Sequence, residues 1–384
     1  MKPGLLFYCQ HSLGLGHAVR SFALAGALTK QFRVVLCCGG QLPDGLSPHQ
    51  DVELVELPPL GAAGDGSLVS RGAGSVEEAQ RQRLGLLLET LRSLRPTVVV
   101  VELFPFGRRR FAGELIPLLE EARAGAPPPL VVSSVRDILV GRGADQHAHD
   151  TVTCVLANRY LDAVLVHSDP RFARLEESFR PNVPLRVPVR HTGFVVGDGA
   201  EPRADDLDGR RVVVSAGGGR VGAPLLRSAL EARAFLPADV RLELVAGPFL
   251  PEEAWSWLAQ SAAPGVELHR FVPDLGELLQ SATASVSQCG YNTALDVIRS
   301  GVPALVVPFA DGQEDEQTRR AERLARQGVV RVLEAARLDA RTLAAEIEAL
   351  FEFRPRRLEL DCSGARASTE LLAELVHQPA EVAV

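Results

Sequence analysis

The stretch SQCGYNTALDVIRSGVPALVVPF, from Ser287 to Phe309, decides the fold class of this sequence. It holds the end of one apolar strand, a short helical segment and a second apolar strand within 23 residues. Gly301 is typical of the end of a helix, and Pro303 prevents the helix from continuing. So compact a strand, helix and strand are typical of a parallel α/β sheet.

Strands and helical patterns alternate along the rest of the chain in the same way. The strands are apolar throughout, which is typical of a parallel sheet that helices cover on both faces. Between them, residues such as Leu84, Leu87 and Leu91 recur at helical spacing. The predicted strands are Leu5–Tyr8, Arg33–Cys38, Thr97–Val101, Leu130–Ser133, Ala163–His167, Leu242–Ala246, Val266–Phe271, Ala284–Ser287 and Ala304–Val307.

The sequence starts this pattern twice. LLFYCQHSLGLGHA, near the N-terminus, and RRVVVSAGGGRVGAP, from Arg210, each lead from a strand through glycines into a helix. The chain of 384 residues is also longer than one hydrophobic core usually covers. We therefore predict two doubly wound, Rossmann-like domains, residues 1–195 and 210–384, joined by a polar linker over residues 196–209 and facing each other across a cleft. The last helix is free to pack back on the first domain.

Composition excludes several classes of function. The net charge of −7 is spread without basic blocks, so no nucleic-acid partner is expected. The six cysteines show no CxxC spacing, and the sequence has neither a signal-peptide pattern nor an apolar stretch long enough to span a bilayer. We expect a cytoplasmic protein, in which any membrane contact is peripheral, at the inner face of the membrane.

The glycine loops indicate phosphate binding and argue against a dinucleotide. Gly217, Gly219 and Gly222 follow a strand with dinucleotide-like spacing, but that fingerprint needs an acidic residue after the next strand. Here the next strand ends in Val-Ala-Gly-Pro, at residues 245–248. Both glycine loops can still bring backbone N–H groups at a helix start close to a phosphate. The alternative is that these glycines only make tight turns.

The helix of the opening stretch offers a third site for phosphate. Cys289 and Gly290 let the backbone approach a ligand closely, and Asn292 or Thr293 is predicted to cap the helix. Asp296 lies four residues after Asn292, on the same helix face, where its carboxylate can accept hydrogen bonds from a ribose. This spacing suits a nucleoside diphosphate. The alternative for Asp296 alone is a solvated surface charge.

Three motifs together resemble the C-terminal signature of GT-B glycosyltransferases. They are FVPD (Phe271–Asp274), the opening stretch, and EDEQTRRAERLARQG (residues 314–328). The resemblance is greatest to the group that contains the bacterial N-acetylglucosaminyltransferase forming lipid II, together with related uncharacterised glycosyltransferases. It implies a GT-B fold and inverting transfer of a hexose, in particular N-acetylglucosamine, from a nucleotide-sugar donor. The expected donor nucleotide is UDP, and the acceptor is a hydroxyl of a small molecule, a glycan or a lipid-linked sugar.

The resemblance also implies roles for individual residues, with no cofactor and no metal ion. Phe271 and Val272 read the nucleobase through their backbone, Asp296 holds the ribose, and Glu316 with Gln317 binds the donor sugar. Arg220 takes the place of an arginine that relatives carry shortly after the Thr192-Gly193 pair. The implied donor-binding residues are Gly14, Gly16, Ser215, Gly217, Gly218, Arg220, Phe271, Val272, Gln288, Gly290, Tyr291, Asn292, Thr293, Asp296, Glu316 and Gln317.

The predicted catalytic base is His17, because imidazole titrates near neutrality and a helix N-terminus keeps it neutral. Asp137, which follows a strand of the first domain, is the alternative base, and His17 then has a structural or phosphate-binding role. Two other classes of function remain. A nucleotide-sugar hydrolase or epimerase replaces the acceptor by water or an enzyme acid, and a non-catalytic nucleotide-sugar-binding subunit needs only the binding features.

Three further segments allow a purely structural explanation as well as a functional one. ADQHAHD (residues 144–150) groups two histidines, but residues two apart point the same way only in an extended segment, so solvated side chains are expected and no metal. In Glu102–Phe111 we expect phenylalanines to pack under the loop and arginines to pair with acids; the alternative is contact with an anionic lipid surface. Gly61–Ser75 is predicted to be a loop of unknown purpose.

Overall fold

A seven-stranded parallel sheet organises the first half of the protein. The computed structural model describes residues 2–11, 15–62, 67–72, 74–141, 143–197, 209–309 and 315–377. Within the sheet the strand order is β3-β2-β1-β6-β7-β8-β9, and a separate pair is formed by β4 and β5. The strands are β1 (Gly4–Gln10), β2 (Arg33–Gly39), β3 (Glu53–Leu57), β4 (Leu60–Ala62), β5 (Leu68–Ser70), β6 (Val98–Glu102), β7 (Leu130–Arg136), β8 (Ala163–His167) and β9 (Val189–His191).

Helices cover both faces of this sheet because its strands are apolar on both faces. Leu6 and Tyr8 of β1 belong to the core on one face, whereas Leu5 and Phe7 belong to the core on the other. The central strand β6 is buried from end to end. The covering helices are α1 (Gly16–Leu28), α2 (Val76–Leu94), α3 (Ala112–Arg123) and α4 (Gln146–Tyr160).

The second half repeats the design with a six-stranded parallel sheet, in the order β12-β11-β10-β13-β14-β15. Its strands are β10 (Arg210–Ser215), β11 (Val240–Val245), β12 (Val266–His269), β13 (Ala284–Ser287), β14 (Ala304–Val306) and β15 (Arg331–Val332). Its helices are α5 (Ala223–Ala232), α6 (Glu252–Ser261), α7 (Leu275–Gln280), α8 (Tyr291–Ser300), α9 (Glu316–Arg326) and α10 (Ala340–Glu352). Two doubly wound halves were predicted, and the structure confirms them.

The chain divides into two compact units, and its last segment groups with the first. The first unit comprises residues 1–13, 17–197 and 360–384, and the second comprises residues 14–16 and 198–359. The amide of Phe194 donates to the carbonyl of Asp361 at 2.6 Å, and the amide of Gly364 donates to the carbonyl of Phe194 at 3.0 Å. Helix α11 (Gly364–His377) then buries Leu372 in the same core as Leu5.

The segment Gly61–Ser75, predicted to be a loop, contains parts of two short strands, while residues 63–66 and 73 lie outside the described residues. Strands β4 and β5 pair antiparallel, and Leu60 is buried in the core of the first unit. The side-chain amide of Gln10 donates to the Leu60 carbonyl at 3.1 Å. The prediction was wrong because three-residue strands in glycine-rich sequence have no local signal, and tertiary contacts stabilise them instead.

A buried polar network ties α2 and α3 to the sheet. The Arg83 guanidinium donates from Nε to Glu114 Oε2 at 2.8 Å and from Nη2 to Glu114 Oε1 at 2.7 Å. It also donates to Gln10 Oε1 at 2.7 Å and to the Pro58 carbonyl at 2.9 Å. The Tyr8 hydroxyl donates to Glu114 Oε1 at 2.6 Å. The Arg83 guanidinium and the Glu114 carboxylate are both buried, so their ion pair and hydrogen bonds replace the interactions that each would make with water.

We predict that Arg83→Met strongly destabilises the first unit. The change leaves the Glu114 carboxylate buried beside an apolar side chain, and loss of one partner of a buried ion pair costs about 3–5 kcal/mol. Urea unfolding followed by circular dichroism measures this cost. The control is Arg92→Met, which removes an exposed ion pair with Glu121 and should cost less than about 1 kcal/mol. Equal costs for the two variants would contradict the assigned role of the network.

Candidate active site

In the first unit, His17 contacts a carboxylate at the carboxyl edge of the sheet. The imidazole Nδ1 lies 2.6 Å from Oε1 of Glu102, the last residue of β6. Strand β1 pairs with β6, so the helix that follows β1 begins beside the end of β6. Parallel pairing therefore brings together two residues that are 85 positions apart in the chain.

The protonation states at this contact follow from burial and neighbouring charges. Burial lowers the pKa of His17 to about 3, although Glu102 acts to raise it. Burial acts to raise the pKa of Glu102, but His17, Arg108 and Arg20 together hold it well below its ordinary value. At neutral pH the neutral imidazole therefore donates its Nδ1 proton to an ionised carboxylate. Its Nε2 lone pair is left to accept a proton.

Asp137, the alternative base, lies just after β7 and is fully buried. A carboxylate without exposed surface cannot reach a substrate proton, whereas the His17 side chain is 17% exposed. The nearby His167 is also fully buried; its Nε2 lies 2.8 Å from Ser134 Oγ and its Nδ1 lies 2.9 Å from Thr192 Oγ1. Of the two residues predicted as the base, His17 is partly exposed and Asp137 is buried.

In the second unit, the glycines after β10 serve packing as well as turning. A Cβ on Gly219 would lie 2.5 Å from the Ala246 carbonyl oxygen, and one on Gly247 would lie 2.3 Å from the Gly217 carbonyl oxygen. Both residues have positive φ angles. The loops after β10 and β11 thus pack backbone against backbone. For Gly219 the structure supports the tight-turn explanation that the sequence left open.

The start of α8 differs, because its glycine faces open space. Gly290 is the N-cap of α8, with a φ of −65° and no side-chain hydrogen bond to the cap. A Cβ added to Gly290 would meet no atom within 4 Å. The predicted capping by Asn292 or Thr293 is wrong, because the helix starts before both, at Tyr291. Gly290 therefore gives the N-terminus of α8 no side-chain cap and leaves open space beside its own Cα, and a helix N-terminus with room for a ligand favours phosphate.

The Gln317 side chain links the segments that follow β13 and β14, beside the start of α8. Its side-chain carbonyl accepts hydrogen bonds from the amides of Cys289 and Phe309, both at 3.1 Å. The buried Arg320 donates to the Cys289 carbonyl at 2.8 Å. The side-chain oxygen of Gln317 thus fixes the backbone before α8. Its NH₂ group is a hydrogen-bond donor, and a sugar hydroxyl can accept such a bond. Glu316, at the start of α9, is buried.

Asp296 forms a second feature of this region together with Asp274. Asp274 caps α7 by accepting a hydrogen bond from the Glu277 amide at 3.1 Å. A Cβ on Gly276 would lie 3.1 Å from Asp274 Oδ1 and 3.5 Å from Asp296 Oδ1, so the two carboxyl groups flank the same point. Burial and Asp274 raise the pKa of Asp296 to about 7, although Arg299 lowers it.

Apart from Gly14 and Gly16, the remaining predicted donor residues lie at or after the ends of strands of the second sheet. They follow the carboxyl ends of its strands, as parallel pairing requires. Gly14 lies outside the described residues, and Gly16 begins α1. Ser215 is the last residue of β10. Those after β10 are Gly217, Gly218 and Arg220; those after β12 are Phe271 and Val272, both partly exposed; and those after β13 are Gln288, Tyr291, Asn292 and Thr293.

Sequence reasoning missed the partners of His17. In the sequence Glu102 stands only at the start of the segment Glu102–Phe111, and no motif singles out Arg20. A carboxylate that closes an all-valine strand was the available signal, because a charge there is buried and needs partners. Within that segment Phe104, Phe106 and Phe111 are buried, and Arg108 Nε lies 3.5 Å from Glu102 Oε2. The structure thus favours packing of this segment over contact with lipid.

The histidines of residues 144–150 are helical and bonded within the first unit. His147 Nδ1 lies 2.8 Å from the Arg180 carbonyl oxygen, and Asp150 accepts the Arg180 amide at 2.7 Å. Over the described residues no group of three His, Cys, Asp or Glu side chains is placed to hold a metal ion. Among all the residues that the structure describes, no helix combines the length and apolar character needed to cross a bilayer.

Comparison with known sequences points to glycosyltransferases. Residues 213–375 match the model of the glycosyltransferase family 28 C-terminal domain. A relative from Azotobacter vinelandii is named UDP-N-acetylglucosamine--N-acetylmuramyl-(pentapeptide) pyrophosphoryl-undecaprenol N-acetylglucosamine transferase. It is 31% identical over 196 residues, which cover 50% of this chain and 53% of the relative. The chain thus spans about half the length of the curated relatives it matches.

Solved structures extend the likeness to the whole chain. The calicheamicin glycosyltransferase CalG4 gives a TM-score of 0.64 at 19% identity, covering 99% of this chain and 100% of that one. MurG of Acinetobacter baumannii gives a TM-score of 0.59 at 16% identity, covering 97% and 100%. At such identities the likeness establishes the fold. The chain therefore has the GT-B fold of the glycosyltransferases that its motifs resemble, with a match to the family 28 C-terminal domain over residues 213–375.

Proposed function

We propose that this protein is an inverting glycosyltransferase that uses a nucleoside diphosphate sugar, with UDP as the nucleotide. The observation that carries the proposal is the N-cap of α8, where Gly290 makes no side-chain cap hydrogen bond and leaves room beside its Cα for a phosphate. The Azotobacter vinelandii relative, whose name gives a UDP-N-acetylglucosamine donor, supports UDP and N-acetylglucosamine for this chain. The lipid-linked acceptor in that name supports a hydroxyl of a lipid-linked sugar as acceptor.

The proposed chemistry is a single displacement at the anomeric carbon of the donor sugar. The acceptor oxygen forms a bond to that carbon while the bond to the leaving phosphate oxygen breaks, which inverts the configuration. His17 Nε2 takes the acceptor hydroxyl proton, and Glu102 stabilises the imidazolium that results. The N–H groups at the start of α8 stabilise the charge that develops on the diphosphate.

The donor is held by residues of the second unit. Asp296 accepts hydrogen bonds from the ribose hydroxyls, and Phe271 with Val272 contacts the base. The Gln317 amide and Glu316 bind the sugar hydroxyls, and Gly16 and Arg220 contact the diphosphate. Peripheral contact with the inner face of the membrane follows if the acceptor is lipid-linked.

We predict that Gly290→Leu abolishes nucleotide binding without destabilising the protein. The φ of −65° suits any residue, and the new side chain enters open space, so the melting temperature without ligand should stay within about 2 °C. In the wild type, UDP at 100 times its Kd should stabilise by about 2.7 kcal/mol. Thermal shift with UDP, GDP, dTDP and ADP measures both effects.

The matched control for this variant is Gly85→Leu, on α2 of the first unit, where an added Cβ also meets no atom within 4 Å. Gly85→Leu should keep the full thermal response to UDP. A Gly290→Leu variant that UDP stabilises as strongly as the wild type would remove the start of α8 from the proposal.

We predict that Asp296→Asn stabilises the unliganded protein at high pH only. The pKa of Asp296 is about 7 in the folded protein and 3.8 ordinarily. The folded state therefore binds more protons than the unfolded state between these values, and the contribution of Asp296 is lost as the pH rises through 7. The melting temperature of Asp296→Asn, relative to wild type, should rise between pH 4 and pH 8.

Asp339→Asn is the control for this pH series. Hydrogen bonds from Thr342 lower the pKa of Asp339 from its ordinary value of 3.8, so its contribution is lost only below the series, and the difference in melting temperature from wild type should stay constant between pH 4 and pH 8. A pH-independent difference between Asp296→Asn and wild type would show that Asp296 is ionised throughout, as an ordinary surface carboxylate is.

We predict that His17→Ala lowers turnover by at least about 100-fold while the Kd for UDP changes less than about threefold, because loss of a general base acts on the chemical step. The measurement is UDP release from UDP-N-acetylglucosamine with a panel of hydroxyl acceptors. The control is His49→Ala, at an exposed histidine beside Asp51. Unchanged turnover in His17→Ala would exclude His17 as base, and donor consumption without acceptor would indicate a hydrolase.

A further inference from the structure

The Glu102 carboxylate forms ion pairs with two arginines and accepts a hydrogen bond from His17. Arg20 Nη2 lies 2.5 Å from Glu102 Oε1, the same oxygen that His17 Nδ1 contacts at 2.6 Å. Arg108 Nε lies 3.5 Å from the other oxygen, Oε2. Arg20 and Glu102 are both buried. One carboxylate oxygen is therefore shared by an arginine and the proposed catalytic histidine.

Local sequence explains this sharing. Arg20 follows His17 by three positions on α1, so both side chains lie on the same helix face and can reach one acceptor. Tertiary structure adds the other charges: Arg108 comes from the loop after β6, and Arg136 is the last residue of β7 and lowers the pKa of His17 together with Arg108. His167, at the end of β8, is neutral, because burial lowers its pKa to about 3.

We propose that Arg20 is a positioning residue for the proposed glycosyl transfer, which fixes the tautomer and the charge of His17 through Glu102. Its hydrogen bond keeps Oε1 of an ionised Glu102 directed at His17 Nδ1. The ring proton then stays on Nδ1 and the lone pair on Nε2. The inference rests on the proposed function, in which His17 Nε2 accepts the proton of the acceptor hydroxyl.

Arg20 also opposes protonation of His17 before substrate arrives. A guanidinium and an imidazole bonded to one oxygen are close enough for strong Coulomb repulsion once the imidazole is charged, and burial reduces screening. Glu102 alone would favour imidazolium, which cannot act as a base. Burial, Arg108 and Arg136 hold the imidazole neutral, and we expect the Arg20 guanidinium to act in the same direction.

The competing explanation is that Arg20 only neutralises a buried carboxylate. That role predicts lower stability on substitution but no defined change at the His17 ring. The two explanations therefore differ in the ionisation and tautomer of His17, which can be measured without substrate.

The test uses the full chain labelled with ¹⁵N-histidine and long-range ¹H–¹⁵N correlation spectra between pH 5 and pH 9, with His17 signals assigned from His17→Ala. Wild-type His17 should be neutral over this range, with the proton on Nδ1. In Arg20→Gln its pKa should rise from about 3 by about two pH units or more, into this range, and the two tautomers should mix. Arg20→Lys, which keeps the charge, should restore most of the neutral form.

The matched control is Arg33→Gln, which removes the exposed pair with Glu53 at the opposite, amino-terminal end of β2 and should leave His17 unchanged. If Arg20→Gln does not fold, Arg108→Gln removes the less buried cation and should shift the His17 pKa in the same direction. A His17 pKa and tautomer that match wild type in the folded variant overturn the inference. Absence of sugar transfer by wild type overturns only the proposed function, because the spectra need no substrate.

Discussion

Parallel pairing of strands is the constraint on which both candidate sites depend. Each parallel strand leads into a helix at the same edge of its sheet, so residues from distant parts of the chain meet there. In the first unit, the pairing of β1 with β6 places the start of α1 beside Glu102. In the second unit, the same rule gathers the loops after β10, β12, β13 and β14. The chemistry of each site follows from which residues those loops carry.

The distribution of charge differs between the carboxyl edge of the first sheet, at His17, and that of the second sheet, at the start of α8. Around His17, full charges are buried and compensate one another, and Glu102 is the anion that they share. At the start of α8 the N-cap residue, Gly290, makes no side-chain cap hydrogen bond, and burial and Asp274 raise the pKa of Asp296, on the same helix, to about 7. The first arrangement suits transfer of a proton, and the second suits arrival of an anion.

The sequence predicted the architecture well because buried strands have strong local signals. Ala163–His167 and Ala284–Ser287 were predicted with the bounds that the structure shows, and the end of α8 at Gly301 is also confirmed. The pairing of His17 with Glu102 was not predictable, because it depends on strand order, which no local pattern encodes. The predicted N-cap of α8 was wrong because it rested on a local preference for Asn or Thr. In the structure the N-cap is Gly290, beside open space, and the helix begins at Tyr291.

The return of the chain at Asp361 makes the second unit an insertion within the first. The hydrogen bonds between Phe194, Asp361 and Gly364 place the departing and returning strands of backbone side by side, and α11 completes the hydrophobic core around Leu5. During synthesis on the ribosome, the N-terminal sheet therefore emerges long before the helix that covers part of it. That sheet stays incompletely covered until the whole of the second unit has been translated.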